Sequence, residues 1–128
     1  MAALVASVPD GVSMKIELLH TLYCPHFARA EELIQEVLAE TGIPAELELV
    51  PIDSAEEAQR LRFVGSPTVR VEGLDVEPYV TFAATEFGLA CRIYREHGQV
   101  TGWPSRRQLK DAIEMGWLAE QGILVGCC

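Results

Sequence analysis

The chain of 128 residues lacks the motifs that mark several large enzyme classes. It has no HExxH zinc motif, no GxSxG nucleophile motif, no phosphate-binding P-loop and no glycine-rich dinucleotide motif. Metalloprotease, serine hydrolase, nucleotide-binding and nicotinamide-dependent activities therefore have no support in the sequence. It also lacks a run of the roughly 18 apolar residues that a membrane-spanning helix needs, so we expect no membrane association.

Positive charge is scarce as well. The chain has 10 basic and 19 acidic residues, which gives a net charge of −9. Nucleic acids and anionic membrane surfaces repel so acidic a domain, so we expect neither as a partner. Residues 1–13 are small and apolar but lack the basic start of a signal peptide, and we interpret them as a flexible leader. We therefore expect a cytoplasmic protein whose four cysteines are mostly reduced.

Hydrophobic periodicity predicts one domain over residues 14–118, followed by a tail at 119–128. The predicted elements are a strand at 14–22, a helix at 25–42, a strand at 45–52, a helix at 54–61, a strand at 67–72, a turn at 73–75, a loop at 76–87, a strand at 89–95, a turn region at 98–102 and a last helix from Ser105. A strand-helix-strand unit requires a parallel pair, and a strand-turn-strand unit gives an antiparallel pair. The order β-α-β-α-β-β-α thus predicts an α/β fold with a central mixed four-stranded sheet and helices on both faces.

The first chemical motif is Tyr23-Cys24-Pro25-His26-Phe27, which follows the first strand. Pro25 is suited to the first turn of a helix, so Cys24 is predicted at the helix start. The helix dipole stabilises a thiolate there, which makes Cys24 a candidate nucleophile with His26 as a positive neighbour. The alternative is that Cys24 is a small buried apolar residue, as many free cysteines are.

The second motif is Gly65-Ser66-Pro67-Thr68-Val69, at the start of the third strand. This setting favours a cis Ser66–Pro67 bond, although a trans proline is also tolerated where a strand begins. A cis bond would turn the Ser66 backbone toward Cys24, where it would pair with an extended peptide or hold a small thiol. The candidate substrate-contacting residues are therefore Pro25, His26, Ser66 and Pro67.

The other three cysteines are each open to more than one interpretation. We interpret Cys91, on the predicted fourth strand, first as a buried core residue and alternatively as a resolving or auxiliary thiol. A disulfide with Cys24 would require Cα atoms within about 7 Å. The adjacent pair Cys127 and Cys128 is predicted to hold a soft metal ion or to form an easily reduced disulfide, unless it is a terminus without a role.

Taken together, Cys24, Gly65-Ser66-Pro67-Thr68 and Cys91-Arg92-Ile93-Tyr94 resemble a mostly uncharacterised bacterial group of the thioredoxin-like superfamily. The resemblance covers most of the chain and implies a thioredoxin-like fold. It places Cys24 at the nucleophilic position and Phe27 at the resolving position, which excludes dithiol exchange through a CxxC pair. A monothiol cycle remains, or resolution by Cys91 or the tail. The tail pair is similar to the terminal cysteines with which mercuric reductase receives mercury.

Three functions are consistent with these residues. The favoured one is a monothiol redox protein, a thiol-disulfide oxidoreductase in which glutathione or another low-molecular-weight thiol resolves the intermediate at Cys24. It requires no cofactor, and its partner is a thiol or disulfide substrate or a reductase. The second is a binding protein that captures Hg(II), Cu(I) or Zn(II) through Cys24, Cys127 and Cys128, with Cys91 as a further ligand. The third is a non-catalytic interaction module with inert thiols.

Overall fold

The computed structural model describes residues 14–120 and has an α/β architecture. Its elements are β1 (Met14–His20), α1 (Phe27–Thr41), β2 (Ala45–Pro51), α2 (Ala55–Arg60), β3 (Thr68–Val71), β4 (Leu74–Asp75), α3 (Pro78–Ala83), β5 (Tyr94–Glu96), β6 (Gln99–Thr101) and α4 (Arg106–Glu120). None of the helices within this range is both long and apolar enough to cross a membrane.

The main sheet is mixed and four-stranded, as the sequence predicted. Its strand order is β2-β1-β3-β4. β1 runs parallel to β2, with Leu18 opposite Leu49, and antiparallel to β3, with Leu19 opposite Thr68. The β1–β2 pair is parallel because α1 supplies the crossover that parallel neighbours require. The end of β1, which leads to the cysteine motif, therefore lies beside the beginning of β3, which follows the serine-proline motif.

Helices cover both faces of this sheet, which is a second confirmed expectation. Leu18 and Leu19 are consecutive in β1, so their side chains point to opposite faces. Leu18 is buried in the larger core with Ile34 of α1 and Ile113 of α4. Leu19 is buried in a smaller core with Ala58 of α2. The sheet thus separates α1 and α4 from α2.

Two helix starts follow the sequence closely. The Ser54 hydroxyl accepts the Glu57 N–H at 3.1 Å, which caps α2. Before α4, the Ser105 hydroxyl accepts the Gln108 N–H and the Gln108 side chain accepts the Ser105 N–H, both at 3.0 Å. Each pair satisfies N–H groups that have no partner inside the helix.

The prediction of a fourth sheet strand at 89–95 is wrong. Only Tyr94–Glu96 is a strand, and it pairs with Gln99–Thr101, inside the predicted turn region, in a separate two-stranded sheet. The fourth strand of the main sheet is Leu74–Asp75, which the sequence predicted as a turn. A strand of two residues has no periodicity to detect, and its pairing depends on the tight reversal at Gly73, whose φ is +83°.

Two further boundaries differ from the prediction. The predicted loop at 76–87 contains α3, which begins at Pro78 and buries none of its residues, so it has no apolar stripe to detect. The last helix continues to Glu120, so residues 119 and 120 belong to it and not to the tail. The predicted leader at 1–13 and the rest of the tail, 121–128, lie outside the described residues.

Candidate thiol site

Cys24 lies in the loop between β1 and α1 and is half-buried. The helix begins later than predicted, at Phe27, so Pro25 is exposed and precedes it. The Cys24 carbonyl accepts the Phe27 N–H at 3.5 Å, which is a turn-type contact leading into the helix. His26 is the N-cap residue of α1, and its side chain makes no capping hydrogen bond to the helix.

The loop that carries Cys24 is attached to the serine-proline motif. The Thr21 N–H donates to the Ser66 hydroxyl at 3.0 Å. The Ser66–Pro67 peptide bond is cis, which is the isomer that the sequence predicted, and Pro67 is buried. A turn at Leu22 and Tyr23 follows Thr21, and the ends of such a turn are less than about 7 Å apart. Cys24 therefore lies close to the segment that is bonded to Ser66.

Cys91 is exposed, so its interpretation as a buried core residue is wrong. That interpretation rested on the predicted strand at 89–95 and on the frequent burial of free cysteines. In the structure the buried side chains of this segment are those of Arg92, at 5% exposure, and Tyr94, at 1% exposure. The inward position of Arg92 is stable because acidic partners neutralise its charge, which an apolar pattern does not reveal.

Cys91 forms a parallel bridge with Ser66. The Ser66 N–H donates to the Ala90 carbonyl at 2.8 Å, and the Arg92 N–H donates to the Ser66 carbonyl at 3.0 Å. The main chain of Ser66 is thus already paired within the protein. An extended peptide that uses both of these groups would have to displace residues 90–92.

The two histidines near Cys24 pack against aromatic side chains. The His20 and Phe27 rings have centroids 4.1 Å apart, and His20 Nδ1 lies 2.9 Å from the Thr21 carbonyl oxygen. His26 packs against Trp103, with centroids 5.3 Å apart. A Cβ at Gly102 would approach the His26 ring to 2.3 Å, so glycine at this position makes room for the imidazole.

A buried ion-pair cluster, which the sequence did not predict, lies next to the cis-proline segment. Arg92 donates to both carboxylate oxygens of Asp75, at 2.7 and 2.8 Å, and to Glu77 at 3.3 Å. Gln108 of α4 donates to the other Glu77 oxygen at 2.6 Å. Burial alone would lower the pKa of Arg92, but its hydrogen bonds to Asp75 hold that pKa above the usual value. Arg92 is thus a permanent buried cation.

The same cluster is bonded to residues 65–68. The Tyr94 hydroxyl donates to the Pro67 carbonyl at 2.5 Å, and burial raises the pKa of this phenol well above its usual range, so it remains a donor. Thr68 Oγ1 donates to the Gly65 carbonyl at 2.6 Å and accepts from Arg92 at 3.2 Å. A Cβ at Gly65 would lie 2.9 Å from Arg92 Cβ, and the φ of Gly65 is +141°. Position 65 therefore requires glycine, because the main chain there packs directly against Arg92.

Metal binding has no structural counterpart in the part of the chain that the structure describes. Residues 14–120 contain no group of three or more histidine, cysteine, aspartate or glutamate side chains placed to hold a metal ion. Cys127 and Cys128, on which the soft-metal hypothesis depends, lie outside the described residues.

Comparison with known proteins finds no family model, no curated protein and no solved structure that matches this chain. The class of this protein is therefore described from its own fold and site. It is an α/β protein with a mixed four-stranded sheet, in which a half-buried cysteine precedes α1 and a cis-proline directly precedes β3.

Proposed function

We propose that the protein is a thioredoxin-like thiol protein that performs thiol-disulfide exchange through Cys24. The observation that carries the proposal is the hydrogen bond between the Thr21 N–H and the hydroxyl of Ser66, the residue of the cis peptide bond. It joins the cysteine loop to the cis-proline segment. The order β2-β1-β3-β4, with one parallel and two antiparallel pairs, supports a thioredoxin-like fold.

The reaction begins with attack by the Cys24 thiolate on one sulfur of a substrate disulfide. A mixed disulfide forms at Cys24, and the second substrate sulfur leaves as a thiolate that takes up a proton. A second thiol then attacks the substrate sulfur of this mixed disulfide, the bond to Cys24 breaks, and Cys24 leaves as a thiolate while the substrate half forms a disulfide with the attacking thiol. A low-molecular-weight thiol such as glutathione supplies this second thiol in a monothiol cycle, and no cofactor takes part.

The residues around Cys24 are accessible to a substrate. Tyr23 is 93% exposed and Leu22 61% exposed, so the loop presents apolar surface beside the thiol. The exposed Pro25 and the half-buried His26 complete the surface that a substrate would contact. The reducing conditions of the cytoplasm would keep Cys24 available as a thiol, and a reductase or a free thiol is the expected partner.

The test compares the protein with a variant that lacks both tail thiols, Cys127→Ser/Cys128→Ser. The substrate is a peptide that carries a glutathione mixed disulfide, and free glutathione is the reductant. We expect the variant to retain its rate within about twofold, because the tail thiols take no part in attack by Cys24.

Two outcomes would contradict the proposal. One is the absence of exchange above the uncatalysed rate in the unmodified protein. The other is loss of exchange in the tail variant with Cys24 intact, which would assign the chemistry to Cys127 and Cys128. Binding of Hg(II) that weakens in the tail variant, without any exchange activity, would favour the soft-metal alternative.

A further inference from the structure

We propose that Cys91 is the resolving thiol of this site and forms an internal disulfide with Cys24. The inference rests on the proposed function, because it takes the attack of Cys24 as the first step. It assigns the second step to a residue of the chain instead of an external thiol. Ser66 is hydrogen-bonded to two segments that each carry or lead to a cysteine.

Ser66 is the common neighbour of both segments. Its main chain is bonded to residues on either side of Cys91, in the bridge that pairs Ser66 with Cys91. Its hydroxyl is bonded to Thr21, at the start of the loop that carries Cys24. Neighbouring strands lie about 4.8 Å apart, so Cys91 is one strand spacing from the residue that holds the Cys24 loop.

Side-chain direction places the Cys91 thiol on the same side as this loop. Residues that are directly opposite in a strand pair project their side chains to the same face. The Ser66 hydroxyl points to Thr21, so the side chain of its bridge partner Cys91 projects to that face. Arg92, the next residue, points the other way into the buried cluster with Asp75.

Two further observations support Cys91 as the resolving thiol: both thiols are accessible, and the usual resolving position holds no cysteine. Cys91 is exposed and Cys24 is half-buried, so both are open to a substrate. The third residue after Cys24 is Phe27, whose ring packs against His20 and offers no thiol. An internal second step must therefore use a cysteine from another segment, and residues 14–120 contain one other, Cys91.

The step balances as an ordinary exchange. The Cys91 thiolate attacks Cys24 Sγ, the bond between Cys24 and the substrate sulfur breaks, and a Cys24–Cys91 bond forms. The substrate leaves as a thiolate and takes up a proton. Over both steps the substrate disulfide gains two electrons and the two protein thiols lose them. Two molecules of a low-molecular-weight thiol of the glutathione class then reduce the internal disulfide.

The experiment uses the full chain with the tail thiols replaced, Cys127→Ser/Cys128→Ser, and oxidised glutathione as the probe. The reduced protein is mixed with the probe, quenched with acid at intervals and mapped by non-reducing peptide mass spectrometry. We expect glutathione at Cys24 to appear briefly and give way to a Cys24–Cys91 disulfide. When Cys91→Ser is added, the glutathione adduct should persist about tenfold longer or more, because no internal thiol displaces it.

A matched control moves the thiol by one residue, with Ala90→Cys combined with Cys91→Ser. Ala90 is also exposed, but successive side chains of an extended segment project to opposite sides, so this variant should keep the adduct as Cys91→Ser does. An adduct at Cys24 that persists equally with and without Cys91 would overturn this inference and leave the proposed function standing. Failure of Cys24 to accept glutathione in every variant would overturn both.

Discussion

We expect the Cys24→Ser variant to exchange a glutathione mixed disulfide on the order of 10³-fold more slowly than the unmodified protein, because the proposed function makes Cys24 the nucleophile. A serine hydroxyl does not ionise at neutral pH, and a nucleophilic serine needs an adjacent base to activate it. The substitution replaces one sulfur atom by oxygen and changes the side-chain volume little, so the fold should be unchanged. The initial rate of release of the first substrate thiol measures this step directly.

The control for this prediction is Cys91→Ser. It removes the more exposed of the two described thiols but leaves the attacking group intact. This variant should release the first substrate thiol at a rate close to that of the unmodified protein, because the role proposed for Cys91 begins only after the mixed disulfide has formed. Cys24→Ser activity within about tenfold of the unmodified protein would exclude Cys24 as the nucleophile.

Replacing Arg92 by methionine lowers the free energy of unfolding by about 3–5 kcal/mol, which is the usual cost of removing one partner of a buried ion pair. Methionine fills much of the arginine volume but leaves the carboxylates of Asp75 and Glu77 buried without their cation. The substitution also removes a cation–π contact, because the guanidinium carbon of Arg92 lies 4.3 Å from the centroid of the Tyr94 ring. Urea unfolding followed by circular dichroism measures the loss.

The matched control is Arg106→Met in α4. Arg106 also pairs with two carboxylates, those of Glu36 and Glu40, but all three side chains are exposed. Exposed pairs contribute about 0–1 kcal/mol, so this variant should remain close to the unmodified protein. Equal destabilisation by the two substitutions would contradict the assignment of Arg92 as the neutralised cation of the buried cluster.

The parts of the fold that the sequence predicted are those with a local signal. The stripe of Ala30, Leu33, Ile34 and Val37 is buried on α1, and Gly42 ends that helix with a φ of +71°. Alternation marked β1 and β3, and the serine caps marked α2 and α4. These features depend on residues within one or two turns of each other, so the sequence contains all the information.

The parts that it missed depend on contacts between distant residues. The burial of Arg92 requires Asp75, 17 residues away, and Glu77, 15 residues away. The local sequence does not reveal these partners, and the usual burial of free cysteines predicted Cys91 in the core. The candidate site shows the same division, because Cys24, Ser66 and Pro67 belong to recognisable local motifs. The bridge from Ser66 to Cys91 is a tertiary contact without a sequence signal.

The most direct test of Cys24 as the reactive thiol is its rate of alkylation by iodoacetamide. The reduced, folded protein is treated at neutral pH, and each cysteine is followed separately by peptide mass spectrometry. Accessibility alone ranks Cys91 first, because Cys91 is exposed and Cys24 is half-buried. We predict the reverse order, with Cys24 faster by about tenfold or more, because the proposed function makes Cys24 the attacking thiol. Alkylation of Cys91 ahead of a slow Cys24 would contradict it.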